Sequence, residues 1–89
     1  MISLVKIVYL HDYTLELHFS NETFGVFDFS YLVEKQSVLT QPLKDVNYFK
    51  TCFIDFGALC WKNSLELSAE SLYEKMQSQN LLQRKSEVA

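Results

Sequence analysis

The stretch Tyr13-Thr14-Leu15-Glu16-Leu17-His18-Phe19-Ser20 alternates apolar and polar residues without a break. Side chains of a β-strand point to opposite faces with a period of two, so this spacing predicts an amphipathic strand. Tyr13, Leu15, Leu17 and Phe19 face a core, while Thr14, Glu16, His18 and Ser20 form a wet face. Asn21-Glu22 makes a turn, and Thr23 to Phe29 returns as a second strand. Residues 13–29 therefore read as a β-hairpin.

The rest of the chain reads as further sheet and cover. Ser3 to Leu10 is a strand with Leu4, Lys6 and Val8 on one face and Val5, Ile7 and Tyr9 on the other. Apolarity on both faces predicts a central strand, or one covered on both sides. His11-Asp12 is a turn. Asp28 or Ser30 caps a short helix over 28–34 by accepting from free first-turn amides. Gln36 to Gln41 is a polar loop, and Pro42, which has no amide proton, excludes a central strand there. Asp45 caps a helical turn at about 45–50, with Leu43, Val46 and Phe49 recurring every third residue.

Thr51 to Phe56 and Ala58 to Trp61 read as two strands joined at Gly57. A two-residue Phe56-Gly57 loop sets Phe53 opposite Cys60 and Cys52 opposite Trp61, with the thiols on opposite sides. A three-residue loop would set Cys52 opposite Cys60. The tighter loop is the commoner choice, so free thiols are expected. Lys62-Asn63-Ser64 is a turn, and Leu65-Glu66-Leu67 is extended with both leucines inward. Ser68 is the best helix N-cap in the chain, with Glu70 in the first turn, where a carboxylate suits the helix dipole. The helix runs from Ala69 at least to Gln77 with Leu72, Tyr73 and Met76 as its apolar stripe. Residues 1–82 form one small domain, and 83–89 are expected to be a frayed tail.

Composition excludes several function classes. Eighty-nine residues suit one domain. The net charge is -3, and Lys6, Lys35, Lys44, Lys50, Lys62, Lys75, Arg84 and Lys85 are scattered. No basic stripe forms, so direct nucleic-acid binding is not expected. No run reaches the ~20 apolar residues of a membrane-spanning helix. The first ten residues lack a basic leader and a small-residue cleavage site, and Lys6 interrupts their apolar run, so no signal peptide is read there. Cys52 and Cys60 form no C-x-x-C pattern, and a reduced, cytoplasmic setting is the default. Seven Phe, five Tyr and one Trp are many for so short a chain. Strand preference explains part of this excess; the remainder predicts rings in a partner or self-association surface.

No constellation of chemistry-bearing residues stands out. His11, Asp12 and His18 lack a third ligand at fixed spacing, and read as surface residues. Neither cysteine has a neighbouring base, and both read as small buried apolar residues. Asp28, Asp45, Asp55, Glu66 and Glu70 sit mostly at helix starts and turns, where capping explains them. Trp61, Tyr73 and Met76 could line a groove, but read first as the junction between the last hairpin and the closing helix. No catalytic, cofactor-binding or metal-ligating residue is assigned.

The order Leu15-Glu16-Leu17-His18-Phe19-Ser20-Asn21-Glu22, Phe27-Asp28-Phe29, Pro42-Leu43-Lys44-Asp45 with Phe49, Ile54-Asp55 to Cys60-Trp61-Lys62-Asn63 and Leu65 to Tyr73 resembles the small bacterial "domain of unknown function 2442" family. The resemblance spans about residues 5–76 and rests on order and spacing rather than on any one motif. It implies an α+β fold with an antiparallel sheet, similar to the N-terminal domain of a Nitrosomonas protein, and no established activity. Asn21-Glu22 stands where the family usually has Asp-Gly, and Lys62-Asn63-Ser64 where it usually has Pro-Asn-Gly, so those two loops should differ in shape. Some relatives carry a following helix-turn-helix domain, and others are encoded beside a small partner protein in toxin–antitoxin-like pairs. By analogy these features imply an accessory or regulatory module.

The expected fold is α+β: a twisted antiparallel sheet of about five or six strands with a C-terminal helix and one or two short helical turns. The expected function is a non-enzymatic protein-interaction or regulatory module, antitoxin-like in kind, with a small protein partner or a second copy as its target. The alternative is a small-molecule-binding or minor enzymatic domain that uses Glu16 and His18 on the 13–20 strand with Asp12. Self-association would use a sheet edge or the 72–82 helix face.

Overall fold

Three antiparallel strands, β1 (Leu4–His11), β2 (Thr14–Phe19) and β3 (Thr23–Asp28), open the computed structural model, which describes residues 1–87. The alternating stretch folds as its period requires. Leu15 stands between Tyr9 and Phe27, and Leu17 between Ile7 and Gly25. Leu15, Leu17 and Phe19 are buried. The Asn21-Glu22 turn closes without glycine because Glu22 itself takes a left-handed φ of 67°.

Two short helices and one longer one cover the inner face. α1 (Ser30–Val33) carries no side-chain cap; the Asp28 carboxylate instead accepts from the Ser30 amide at 2.9 Å and from its hydroxyl at 2.6 Å. Pro42 lies in a 3-10 turn over Gln41–Lys44. In α2 (Val46–Phe49), Asp45 caps as expected by accepting from the Asn47 amide. α2 places Phe49 at the centre of an aromatic cluster, with ring centroids 5.0 Å from Tyr13, 5.8 Å from Trp61 and 5.9 Å from Phe29. α3 (Ala69–Ser78) starts at Ser68, whose hydroxyl accepts from the Ser71 amide at 3.1 Å. It buries Ala69, Leu72 and Met76, and leaves Tyr73 half-buried with its ring edge against Phe19.

The second half of the chain adds β4 (Phe53–Asp55), β5 (Ala58–Cys60), β6 (Glu66–Leu67) and β7 (Gln83–Arg84). Phe53 pairs with Cys60 and Asp55 with Ala58, so the two-residue Phe56-Gly57 loop and its register hold. Cys52 and Cys60 are free thiols.

The fold is α+β with antiparallel pairing throughout, but its strands differ from the expectation in three ways. They form two sheets, β1-β2-β3-β7 and β4-β5-β6, rather than one. The sheets meet where the Leu4 amide donates to the Gly57 carbonyl at 2.8 Å, and no ladder continues across. β1 lies at a sheet edge and not at the centre. Its two-sided apolarity has a local cause: register shifts at Leu4/Lys6 and Tyr9/His11 reset which residues face inward. The expected tail from Gln83 is instead ordered over the described residues. Gln83 and Arg84 pair with Phe24 and Thr23, and Lys85–Glu87 form a 3-10 turn; Val88 and Ala89 lie outside the described residues. A backbone ladder accounts for this order, which side-chain patterning could not signal.

Candidate protein-interaction surface

The outer face of the larger sheet holds the residues expected to be wet. Strand pairing sets Lys6, His18 and Phe24 in one row and Val8, Glu16 and Val26 in the next. This corrects the expected wet face of residues 13–20. Thr14 is buried, and the His18 and Glu16 side chains are only 12% and 29% exposed. The cause is cross-strand packing, since residues directly opposite on one face touch. Phe24 stacks on the His18 ring at 5.4 Å between centroids, with the planes 13° apart. With its proton on Nε2, His18 donates to Glu16 at 2.8 Å, and Nδ1 is buried without a hydrogen-bond partner.

Asp12 does not join that pair. It occupies the β1–β2 turn at a φ of 45°, and its carboxylate lies 3.1 Å from His11 Nδ1 in an exposed contact. At ~3.3 Å per residue, Glu16 is about 13 Å further along the strand. Among the described residues no group of three or more His, Cys, Asp or Glu is placed to hold a metal ion. Burial pushes the Cys52 thiol up to about 11. Cys60 is also raised, first by burial and then by the charges of Glu66 and Asp55. Thiols held protonated in this way are poor nucleophiles. Trp61 is core, 1% exposed, as its place at the hairpin–helix junction predicts.

The aromatic excess resolves mostly into core. Phe19, Phe27, Phe29, Phe49 and Trp61 are buried, and only Phe53 and Phe56 among the rings are largely exposed. Phe56 is fully so, at 101%, on the tip of the β4–β5 hairpin.

A free edge of the larger sheet lies elsewhere, on β3. β7 pairs only with Thr23 and Phe24 and then ends. Alternate residues of a strand direct their N–H and C=O to opposite sides. The Phe29 amide donates toward β2, to the Tyr13 carbonyl at 2.8 Å, while the Glu22 carbonyl accepts from the Lys85 amide at 2.9 Å on the far side. The even-numbered residues therefore face away from β2. Phe24 finds β7 there, but Val26 and Asp28 find no strand among the described residues. Beside this free edge runs an open cleft of about 600 Å³ whose walls include Tyr31, Lys75, Gln79 and Leu81. Lys75 Nζ sits 4.1 Å above the Tyr31 ring. Asp28 is held ionised below its ordinary range, first by the Ser30 hydroxyl and then by the Ser30 amide. Asp28 reads from the sequence as a helix cap, and the edge has no sequence signal, because a strand's position in a sheet leaves no mark on its own residues.

Gly25 sets the close approach of Leu81, one wall of the cleft. A Cβ there would lie 2.3 Å from the Leu81 carbonyl oxygen and 2.9 Å from Met76 Cε, so only glycine lets the segment after α3 cross the sheet this closely. That crossing seats Leu81 against Gly25 before the chain pairs as β7.

No helix among the described residues is long and apolar enough to cross a membrane. No curated protein and no solved structure matches the chain, so the likeness to a Nitrosomonas domain rests on the family resemblance alone. The family model described as "Protein of unknown function (DUF2442)" matches residues 4–78, most of the chain and nearly all of both sheets, and the protein belongs to that family.

Proposed function

We propose that the protein is a non-enzymatic interaction module that binds a small protein partner through the larger sheet. One observation carries this reading: the β3 edge at Val26–Asp28 is free and borders an open cleft. Free sheet edges are templates for pairing, and proteins usually blunt them with bulges, lysines or proline. β1, at the other edge, has two register shifts and an exposed Lys6. β3 pairs with β2 without a shift, and its free segment shows an exposed valine.

The acidic balance and scattered basic residues favour a protein over a nucleic acid as that partner. The resemblance extends the proposal to a regulatory, antitoxin-like role in the cytoplasm. The alternative of a small-molecule site on the polar face of β2 finds less support, because Phe24 and the flanking valines cover Glu16 and His18. Affinity purification from the native host at native expression, read by mass spectrometry, tests the proposal. A stoichiometric protein partner is expected, and recovery of the chain alone would count against it.

A further inference from the structure

We propose that the partner contributes an extended peptide, which adds to the free β3 edge as a strand and carries an apolar residue beside Val26 and a carboxylate toward Lys75. This deepens the interaction reading and rests on it.

The backbone dictates the form of the ligand. Val26 and Asp28 each direct an N–H and a C=O away from β2, at the alternate spacing of a strand. Only another extended backbone matches that row of donors and acceptors, the basis of recognition by strand addition. The edge already takes such a segment in cis, since β7 pairs with Thr23 and Phe24 immediately before the free stretch. An added strand would continue that ladder beyond Phe24, where the pairing with β7 stops.

The two faces dictate which side chains the peptide carries. A residue opposite Val26 lies on the outer face, against a side chain that is 45% exposed. Burying that valine favours an apolar partner. The next residue of the peptide points to the inner side, where Tyr31 and Lys75 wall the cleft. Of the charged groups lining the cleft, Asp28 is engaged by Ser30. Lys75 makes no ion pair among the described residues. Both charges remain unneutralised, but the Asp28 side chain belongs with Val26 to the outer face, so a peptide side chain on the inner side meets Lys75, which a carboxylate complements. A second copy of this chain fits less well. It would bring its own β7 and α3 to an edge only as long as Val26–Asp28, whereas a single strand fits beside the Tyr31 and Lys75 walls.

A displayed library of random linear peptides, selected against the intact chain, provides the probe. Selected peptides should alternate apolar residues with Asp or Glu. Titrated into isotope-labelled protein, they should move the amide signals of Val26, Phe27 and Asp28 and show backbone-to-backbone contacts there. Val26→Pro, which removes an outward amide at an edge position where proline is tolerated, should weaken binding at least about tenfold. Lys75→Glu, on the exposed face of α3, should lose acidic peptides and recover binding to their Lys-substituted versions. This second variant decides the matter if Val26→Pro does not fold. Absence of binders, binders that leave Val26–Asp28 unmoved, or binders indifferent to both variants would overturn the inference. A partner that co-purifies equally with wild type and Lys75→Glu would also overturn it while leaving the interaction reading intact. No partner at all would remove that reading itself.

Discussion

The indole N–H of Trp61 donates to the backbone carbonyl of Phe49 at 3.0 Å, joining the end of β5 to the end of α2 across 12 residues of sequence. Both side chains are buried and their rings are 5.8 Å apart. The same carbonyl also accepts from the Cys52 amide at a longer 3.3 Å. Trp61→Phe keeps a ring but removes the donor and part of the volume. The Phe49 carbonyl keeps one partner, so the loss should be moderate, about 1–3 kcal/mol, against about 3–5 kcal/mol for Trp61→Ala. Urea unfolding followed by circular dichroism measures both, since the variants have no tryptophan. A loss in Trp61→Phe as large as in Trp61→Ala would show that the hydrogen bond, not the ring, holds this junction.

Gly25→Ala should be among the most damaging single-methyl changes in the chain. The added carbon meets backbone as well as the flexible end of Met76, so the segment around Leu81 must move. Overpacking of this kind costs about 1–3 kcal/mol, or very roughly 4–20 °C in Tm for a domain of this size. The amide of Lys85, bonded to the Glu22 carbonyl, should lose hydrogen-exchange protection first, because β7 hangs from the displaced segment. Unchanged protection at Lys85 with a lowered Tm would place the strain on Met76 instead.

These two positions also mark what the residues did and did not reveal. The 13–29 hairpin was legible because period-two alternation is a local property of one strand. The Phe53–Cys60 register was legible because a two-residue loop fixes its flanking pairs. Ser68 announced α3 by its chemistry alone. The division into two sheets was not legible, because the segments that meet at the Leu4–Gly57 bond are distant in the chain and whether a ladder continues between them is not a local property. Nor was β7, whose Gln83-Arg84 has no apolar pattern and is held by backbone. The partial burial of the polar face of β2 was not legible either, because exposure there is set by Phe24 and the neighbouring valines, not by β2. The free edge at Val26 follows from strand order, which no single strand encodes.

The thiols make stability depend on alkaline pH. Burial raises Cys52 from an ordinary 9.0 to about 11, and Cys60 is raised as well. Below pH 9 both are protonated in the folded and unfolded chains, and this contribution is fully present. As pH rises from about 9 to 11 the unfolded chain releases protons that the folded chain retains, so stability falls. Cys52→Ala should flatten part of that fall while costing some packing. Urea midpoints at pH 8 and pH 10.5 read the effect, and equal slopes in wild type and variant would exclude Cys52 as its source. At pH 8 the native thiols should react with iodoacetamide far more slowly than those of urea-unfolded chain.

Phe56 occupies a position that folding alone does not favour. It is the first loop residue of the β4–β5 hairpin, with φ of 49°, followed by Gly57 at 78°. Positive φ at both central residues marks a type I′ turn, which prefers Asn or Gly at the first and Gly at the second. An aromatic residue in the left-handed region is strained, and here no burial offsets the strain, because the side chain is fully exposed. Phe56→Asn should therefore stabilise the isolated chain by about 0.5–1 kcal/mol, seen as a higher urea midpoint with unchanged slope. Gly57 has no such latitude, since a Cβ there would meet Ser3 at 2.8 Å and the φ is positive. If Phe56→Asn destabilises the chain, the ring must make a contact in solution that its exposure does not show. If it stabilises the chain yet weakens co-purification of the partner, Phe56 is a second anchor for that partner, separate from the β3 edge.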